Sequence, residues 1–304
     1  MPRNTVAFII SRTGSTRVPN KALLDIAGQP LIAHMIRIAK QVVGVDSVWL
    51  ATTALHNDDA LADVAGSRGI DVFRGDPEKV LDRIHAAARF ARADTIIYIG
   101  GDCPLLDPVL LSEAVREFNS CPCDYLCNYE PPTFPGGMDI NVISFDALDE
   151  AYRGAVAPSQ RVHPFSYLTF HPEDFIIRNM VQGNDLSTYH WSIDYPGDVE
   201  FIRLVYRSLY RKDAVICMED VLRLIRENTD IDKYHRRLLK PSVAHAFFSS
   251  PGMMHDITKD INHLSESAIR AINNGSYKMA ESAYKEITRI TSKLSLMNRD
   301  KAKQ

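Results

Sequence analysis

Ser11 to Lys21 reads SRTGSTRVPNK and follows directly on the apolar run Val6 to Ile10, VAFII. A strand that empties into a loop with one glycine, small hydroxyl side chains, two arginines and a closing lysine holds the donors needed to surround a polyphosphate. Backbone N–H groups around Ser11, Thr13, Gly14 and Ser15 can point at phosphate oxygens, while Arg12, Arg17 and Lys21 add charge and forked donors. The spacing is neither the Walker loop, which closes on Gly-Lys-Ser/Thr, nor the three-glycine dinucleotide fingerprint. The same composition also suits a solvated basic turn, so the surrounding chain decides the reading.

Outward from this stretch, apolar periods alternate. Pro30 to Val43 carries Leu31, Ile32, Met35, Ile36, Ile38 and Ala39 at helical spacing. Ser47 to Thr52 reads as a strand, Asp58 to Arg68 as a helix, Ile70 to Phe73 as a strand and Glu78 to Arg92 as a helix. Thr95 to Ile99, TIIYI, is a buried strand that runs into Gly100, Gly101 and Asp102. Strand–helix alternation predicts a doubly wound α/β sheet, mostly parallel, with ligands off the carboxyl ends of its strands. Beyond the helix near Pro108, segments 123–129, 131–137 and 140–145 mix short strands and turns, an antiparallel excursion forming one wall of a cleft. Asp146 to Tyr152 reads as a helix, Trp191 to Ile193 as a strand ending in Asp194, and Pro196 opens another helix. A helix from Met218 to Asn228 closes a domain expected to span residues 1–240.

Residues 241–304 divide into a linker, Lys240 to Gly252, and two helical stretches, Ile257 to Ile272 and Tyr277 to Leu296. Gly275 sits in the turn between them where a helix C-cap belongs. One such hairpin, spaced like a single tetratricopeptide-type unit, cannot stack into a solenoid alone. Docking onto the main domain is the expectation, with a protein partner as the alternative.

At 304 residues and 45% hydrophobic composition the chain can bury a full core. A net charge of -3 gives no global attraction to nucleic acid or anionic membrane, so anion binding has to be local. No apolar run approaches the roughly 20 residues of a membrane span, and no signal-peptide core precedes the first strand, so the cytoplasm is expected. Five cysteines in so long a chain fit reduced thiols, and Cys121, Cys123 and Cys127 lack paired zinc spacing and a fourth ligand.

Asp102 and Asp194 fall at the same predicted sheet edge as the basic loop. Two carboxylates beside a triphosphate are what Mg²⁺ needs, although each alone is equally a helix N-cap. The ordered set SRTGSTRVPNK, AGQPLI (27–32), LATT (50–53), FRGD and VLDR (73–83), GGDCPLLDP (100–108), FPGGMDINV (134–142) and SIDYPGD (192–198) resembles the SpsF-type cytidylyltransferases. These are similar to the synthetases that attach CMP to octulosonate and acylneuraminate.

The resemblance implies a GT-A-like Rossmann nucleotidyltransferase that uses CTP and Mg²⁺, transfers CMP to a sugar acid of the 2-keto-3-deoxy type, and releases pyrophosphate for surface polysaccharide synthesis. It places Arg12, Lys21 and Asp102 in catalysis, and Ser11, Arg12, Thr13, Gly14, Ser15, Arg17, Lys21, Thr53, Arg74, Asp82 and Arg83 about the nucleotide. Asp102 and Asp194 match the metal aspartates, and Asp139, Arg161, His163 and Tyr167 fall in the acceptor half. A homodimer through residues 125–185 is expected. Val162 stands where a glutamate is common and Asn141 where an acidic residue is, which leaves the sugar and a second metal contact open. Alternatives are transfer to a phosphorylated or phosphonate alcohol, and a non-catalytic module for glycan assembly.

Overall fold

A computed structural model describes residues 3–212, 214–239 and 251–301, so most of the Lys240–Gly252 linker lies outside the described residues. Strand β1 (Thr5–Ile10) is buried at all six positions, as an apolar run between two helix layers must be. Its side chains alternate: Ala7 and Ile9 pack with one layer, Val6, Phe8 and Ile10 with the other. Fully buried Phe8 and Ile9 each gain about 2 kcal/mol by leaving water.

A small hairpin of β2 (Asp25–Ile26) and β3 (Gln29–Pro30) precedes α1 (Leu31–Ala39). Then come β4 (Ser47–Thr53), α2 (Asp59–Ser67), β5 (Asp71–Gly75), α3 (Val80–Ala91), β6 (Thr95–Gly100) and α4 (Pro108–Ser120). Helices α1, α2 and α4 cover the face of Ala7 and Ile9. Helix α3 covers the other face together with α5 (Phe145–Gly154) and α7 (Ser166–Phe170). With β7 (Tyr125–Cys127), β8 (Asn141–Ser144) and β9 (Ile177–Asn179), the sheet has seven strands in the order β5-β4-β1-β6-β8-β7-β9. Strands β5, β4, β1 and β6 are mutually parallel, and β8 is antiparallel to both β6 and β7. The doubly wound sheet and its antiparallel excursion match the sequence reading.

The expected strand at Trp191–Ile193 does not form. Trp191 N–H donates to Gly136 O at 2.7 Å and Ile193 N–H to Asp102 O at 2.9 Å, so the segment bridges two loops and joins no strand ladder. Fully buried Trp191 anchors a third apolar cluster with α8 (Pro196–Leu209), α9 (Met218–Glu227) and α10 (Thr229–Arg236). The apolar run of residues 191–193 therefore reflects burial, not sheet membership. Asp194 reaches the sheet edge at the end of this bridging segment.

The terminal hairpin consists of α11 (Pro251–Asn273) and α12 (Tyr277–Lys301), longer than the sequence periods suggested. It docks on the main domain. Ile257, Leu264, Ala268, Ala280 and Ile290 enclose Ala157 and Phe170, and the short helix α6 (Pro158–Val162) packs on α11. Among the described residues no helix is long and apolar enough to cross a membrane.

Candidate active site

The carboxyl ends of β1 and β6 lie side by side, with Ile10 opposite Gly100. Gly101 N–H donates to Ile10 O at 2.9 Å, and a Cβ on Gly101 would lie 2.6 Å from Ser11 Cβ. Only hydrogen fits there. That close approach sets the basic loop directly against Asp102.

The loop is pinned from beneath by Asp58, a buried carboxylate just before α2. Its Oδ1 accepts from Thr13 N–H and Thr13 Oγ1, both at 2.7 Å, and its Oδ2 from Thr53 N–H at 3.3 Å and Thr53 Oγ1. Burial works to raise the Asp58 pKa, but these hydroxyl and backbone donors outweigh it and hold the carboxyl below its ordinary value. Thr13 and Thr53 thus face Asp58 and serve the loop from behind. The sequence reading missed Asp58; its signal was the pair Asp58–Asp59 after LATT, which also reads as a helix start.

Above the loop opens a cleft of about 340 Å³, lined by Ser11, Arg12, Gly14, Ser15, Arg17, Lys21, Arg83 and Asp102. A volume of this size suits a small-molecule ligand. Lys21 Nζ donates to Asp102 Oδ2 at 2.5 Å and to Ile193 O at 2.9 Å. Arg12 donates to Pro77 O at 2.7 Å and meets Glu78 at 3.3 Å. Arg17 pairs with Asp194 Oδ1 at 3.0 Å and stacks over the Tyr195 ring.

Arg83, 2% exposed, donates to Asp76 O at 2.6 Å. Among the described residues no carboxylate lies within ion-pair distance of it, and its buried Nε has no hydrogen-bond partner. Burial pulls its pKa down. A buried guanidinium without a counter-ion is costly, and Arg83 bears that cost at the cleft wall.

Acidic groups gather on the opposite side. Burial would raise the Asp194 pKa, yet the bond from His190 Nε2 at 3.0 Å and the charges of His190, Lys21 and Arg17 hold the carboxylate well below its usual range. Asp139 is exposed at the surface yet surrounded by protein on most sides. Desolvation first, and the charges of Asp102 and Asp194 second, push its carboxyl up to about 6.

His190, Asp194 and Asp198 each bring a ligand atom within 4.8 Å of the others, but Asp198 Oδ2 is taken up by the N–H groups of Asp194 and Tyr195 that it caps. Asp102 and Asp194 are hard oxygen donors of the kind a hard divalent ion takes, and each is paired with a cation of the loop, Lys21 and Arg17 respectively.

The remaining sequence candidates lie elsewhere. Arg74 turns away from the cleft, donating to Thr53 O, Leu55 O and Asp59 in a separate surface hollow. Asp82 pairs with Arg161 at 3.3 Å. His163 meets Asp256 of α11 at 3.5 Å, and Tyr167 stacks on His171 and covers Gly154. Asn141 Oδ1 accepts from Tyr125 OH at 2.6 Å and Tyr129 OH at 2.7 Å, which occupies it in the core.

Sheet order and basic loop together define a nucleotidyltransferase-type α/β enzyme. A family profile described as cytidylyltransferase matches residues 6–181, more than half of the chain, and the chain belongs to that family. It is similar to a cytidylyltransferase from Leptospira borgpetersenii whose structure superposes with a TM-score of 0.71 at 28% identity, over 75% of this chain and 96% of that one. The Bacillus subtilis spore coat polysaccharide biosynthesis protein SpsF is 28% identical over 241 residues, 75% of this chain and 96% of its own. A 3-deoxy-manno-octulosonate cytidylyltransferase of Trichlorobacter lovleyi is 38% identical over 115 residues, which span 37% of this chain and 44% of that enzyme.

Proposed function

We propose that the cleft binds CTP with its triphosphate on Ser11–Lys21 and transfers CMP to a hydroxyl of a sugar acid. The observation that carries this is the ring of Arg12, Arg17, Lys21 and Arg83 about one cleft with Asp102 at its floor. The acceptor oxygen forms a bond to the α-phosphorus while the bond from that phosphorus to the bridging oxygen breaks, and pyrophosphate leaves. The hydroxyl proton passes to solvent. Arg12, Arg17 and Lys21 neutralise the departing pyrophosphate, and Arg83 orients the phosphate chain from the α3 side, so positioning and charge supply the rate. Asp102 and Asp194 would hold Mg²⁺, which when bound neutralises phosphate charge as a Lewis acid.

The acceptor side supports a second reading. His163 and Tyr167, the pair that the octulosonate resemblance implies for the sugar acid, are engaged away from the cleft. A phosphorylated alcohol therefore stands beside the sugar acid as an acceptor class. The homodimer expected through residues 125–185 would use the part that the hairpin leaves uncovered.

Pyrophosphate release, measured with each of the four nucleoside triphosphates against a panel of sugar acids and phosphorylated alcohols, tests the reading. CTP with one acceptor class should give turnover, and Asp102→Ala should lose nearly all of it. Retention of more than about a tenth of the rate would remove Asp102 from the chemistry.

A further inference from the structure

The terminal hairpin lies outside residues 6–181 that match the family, yet it is fastened by buried polar contacts and not only by apolar packing. Asp260 of α11 and Glu286 of α12 are 1% and 4% exposed. Burying two carboxylates is expensive unless each is fully satisfied, and here each finds partners in one short segment of the main domain. Asp260 accepts from Ser159 N–H at 3.0 Å and from Ser159 Oγ. Glu286 Oε1 accepts from Gln160 Nε2 at 2.6 Å, and Gln160 Oε1 in turn accepts the N–H groups of Val156 and Ala157 at 3.0 Å. Glu286 Oε2 meets His171 Nε2 at 3.2 Å, while His171 Nδ1 contacts Tyr167 O at 2.7 Å. A carbonyl and a carboxylate only accept, so the two contacts favour an imidazolium with both ring nitrogens donating, in line with the raised pKa of His171.

The segment so held continues to the cleft. Arg161, next to Gln160 on α6, stacks over Tyr152, donates to Ala155 O at 2.9 Å, and pairs with Asp82 of α3. Helix α6 also packs on α3 directly, and α3 carries Val80 and Arg83 into the cleft wall.

We propose that the hairpin is a strut for the nucleotide cleft: Asp260 and Glu286 are positioning residues that seat α6, and through Arg161–Asp82 they fix the α3 wall bearing Arg83. This rests on the reading of the cleft as a nucleotide site, but the strut itself can be judged without it.

Amide hydrogen exchange on the full chain, with CTP titration alongside, tests the strut at about pH 8, where a histidine free of a carboxylate is neutral. In Glu286→Ala and Asp260→Ala, exchange over residues 80–91 should quicken at least tenfold and the Kd for CTP should rise five- to tenfold. Glu286→Gln should restore both, because its amide oxygen accepts from Gln160 and its NH₂ donates to neutral His171. Arg161→Met should loosen α3 while exchange in the hairpin stays at the wild-type rate. Faster exchange in the hairpin with α3 unchanged overturns the strut, as does an Arg161→Met chain with α3 unchanged if the alanine variants fail to fold. If wild type binds no CTP, the nucleotide reading fails, and exchange over α3 alone decides the strut.

Discussion

The two walls of the cleft are held in opposite ways. On the loop side, Ser11, Arg12, Arg17 and Lys21 stand within one short stretch, and a single buried carboxylate, Asp58, holds it from a neighbouring turn. On the far side, the α3 wall with Val80 and Arg83 packs on α6, and the segment from Val156 to His171 that contains α6 is held by residues more than a hundred positions later, Asp260 and Glu286. The near wall draws its cations from one local stretch, although Asp102 and Asp194 meet two of them from far along the chain; the far wall draws even its support from the last two helices.

The contrast can be broken from the loop side first. Lys21→Ala removes the cation paired with Asp102, and on the proposed reading kcat/KM for pyrophosphate release should fall about 100- to 1000-fold. A fall of less than tenfold would detach the loop from the chemistry. Asp58→Ala leaves Thr13 and Thr53 without their acceptor. It should cost about 2–3 kcal/mol of stability in denaturant melts, with a rise in KM for CTP larger than any change in kcat. An unchanged KM would show that the loop keeps its shape unaided.

On the far wall, the test is pH. The Asp58 carboxyl is depressed, so its contribution is present above the ordinary carboxylate pKa and is lost only as pH falls through the lower folded value. His171 behaves in the reverse sense. Burial opposes its charge, but Glu286 and the Tyr167 carbonyl raise its pKa against the nearby Arg289. The latch is therefore complete below the ordinary histidine value of about 6.5 and is lost as pH rises through the raised one. The Tm advantage of wild type over Glu286→Gln should be largest in mild acid and shrink in mild alkali; an advantage independent of pH would mean that His171 is not charged in the folded protein. The smallest effect is expected from Arg74→Ala, outside the cleft: about 1 kcal/mol of stability from the turn after β4 and less than a threefold change in KM for CTP.

These differences also explain what could be read from the amino-acid order. The strands and the helices between them were legible because each is an unbroken apolar period of its own, and the resemblance rested on motifs that lie at the ends of those strands. Trp191–Ile193 misled because full burial and sheet membership produce the same apolar run. Thr53 and Arg74 stand near the loop in the reading of the sequence, and nothing in the amino-acid order shows that their polar atoms engage Asp58 and Asp59. The roles of His163, Tyr167 and Asn141 were illegible. What a buried polar side chain does is decided by the partner packed against it, and those partners are remote in the chain.

The hydrogen-only contact at Gly101 has a consequence for anyone who would retarget this enzyme. Since Ser11 and Gly101 touch with no room for a methyl group, the basic loop and the Asp102 corner cannot be adjusted one at a time. They behave as a single part. Variation is better introduced on the α3 side, whose neighbour α6 is held by a separate element, the terminal hairpin.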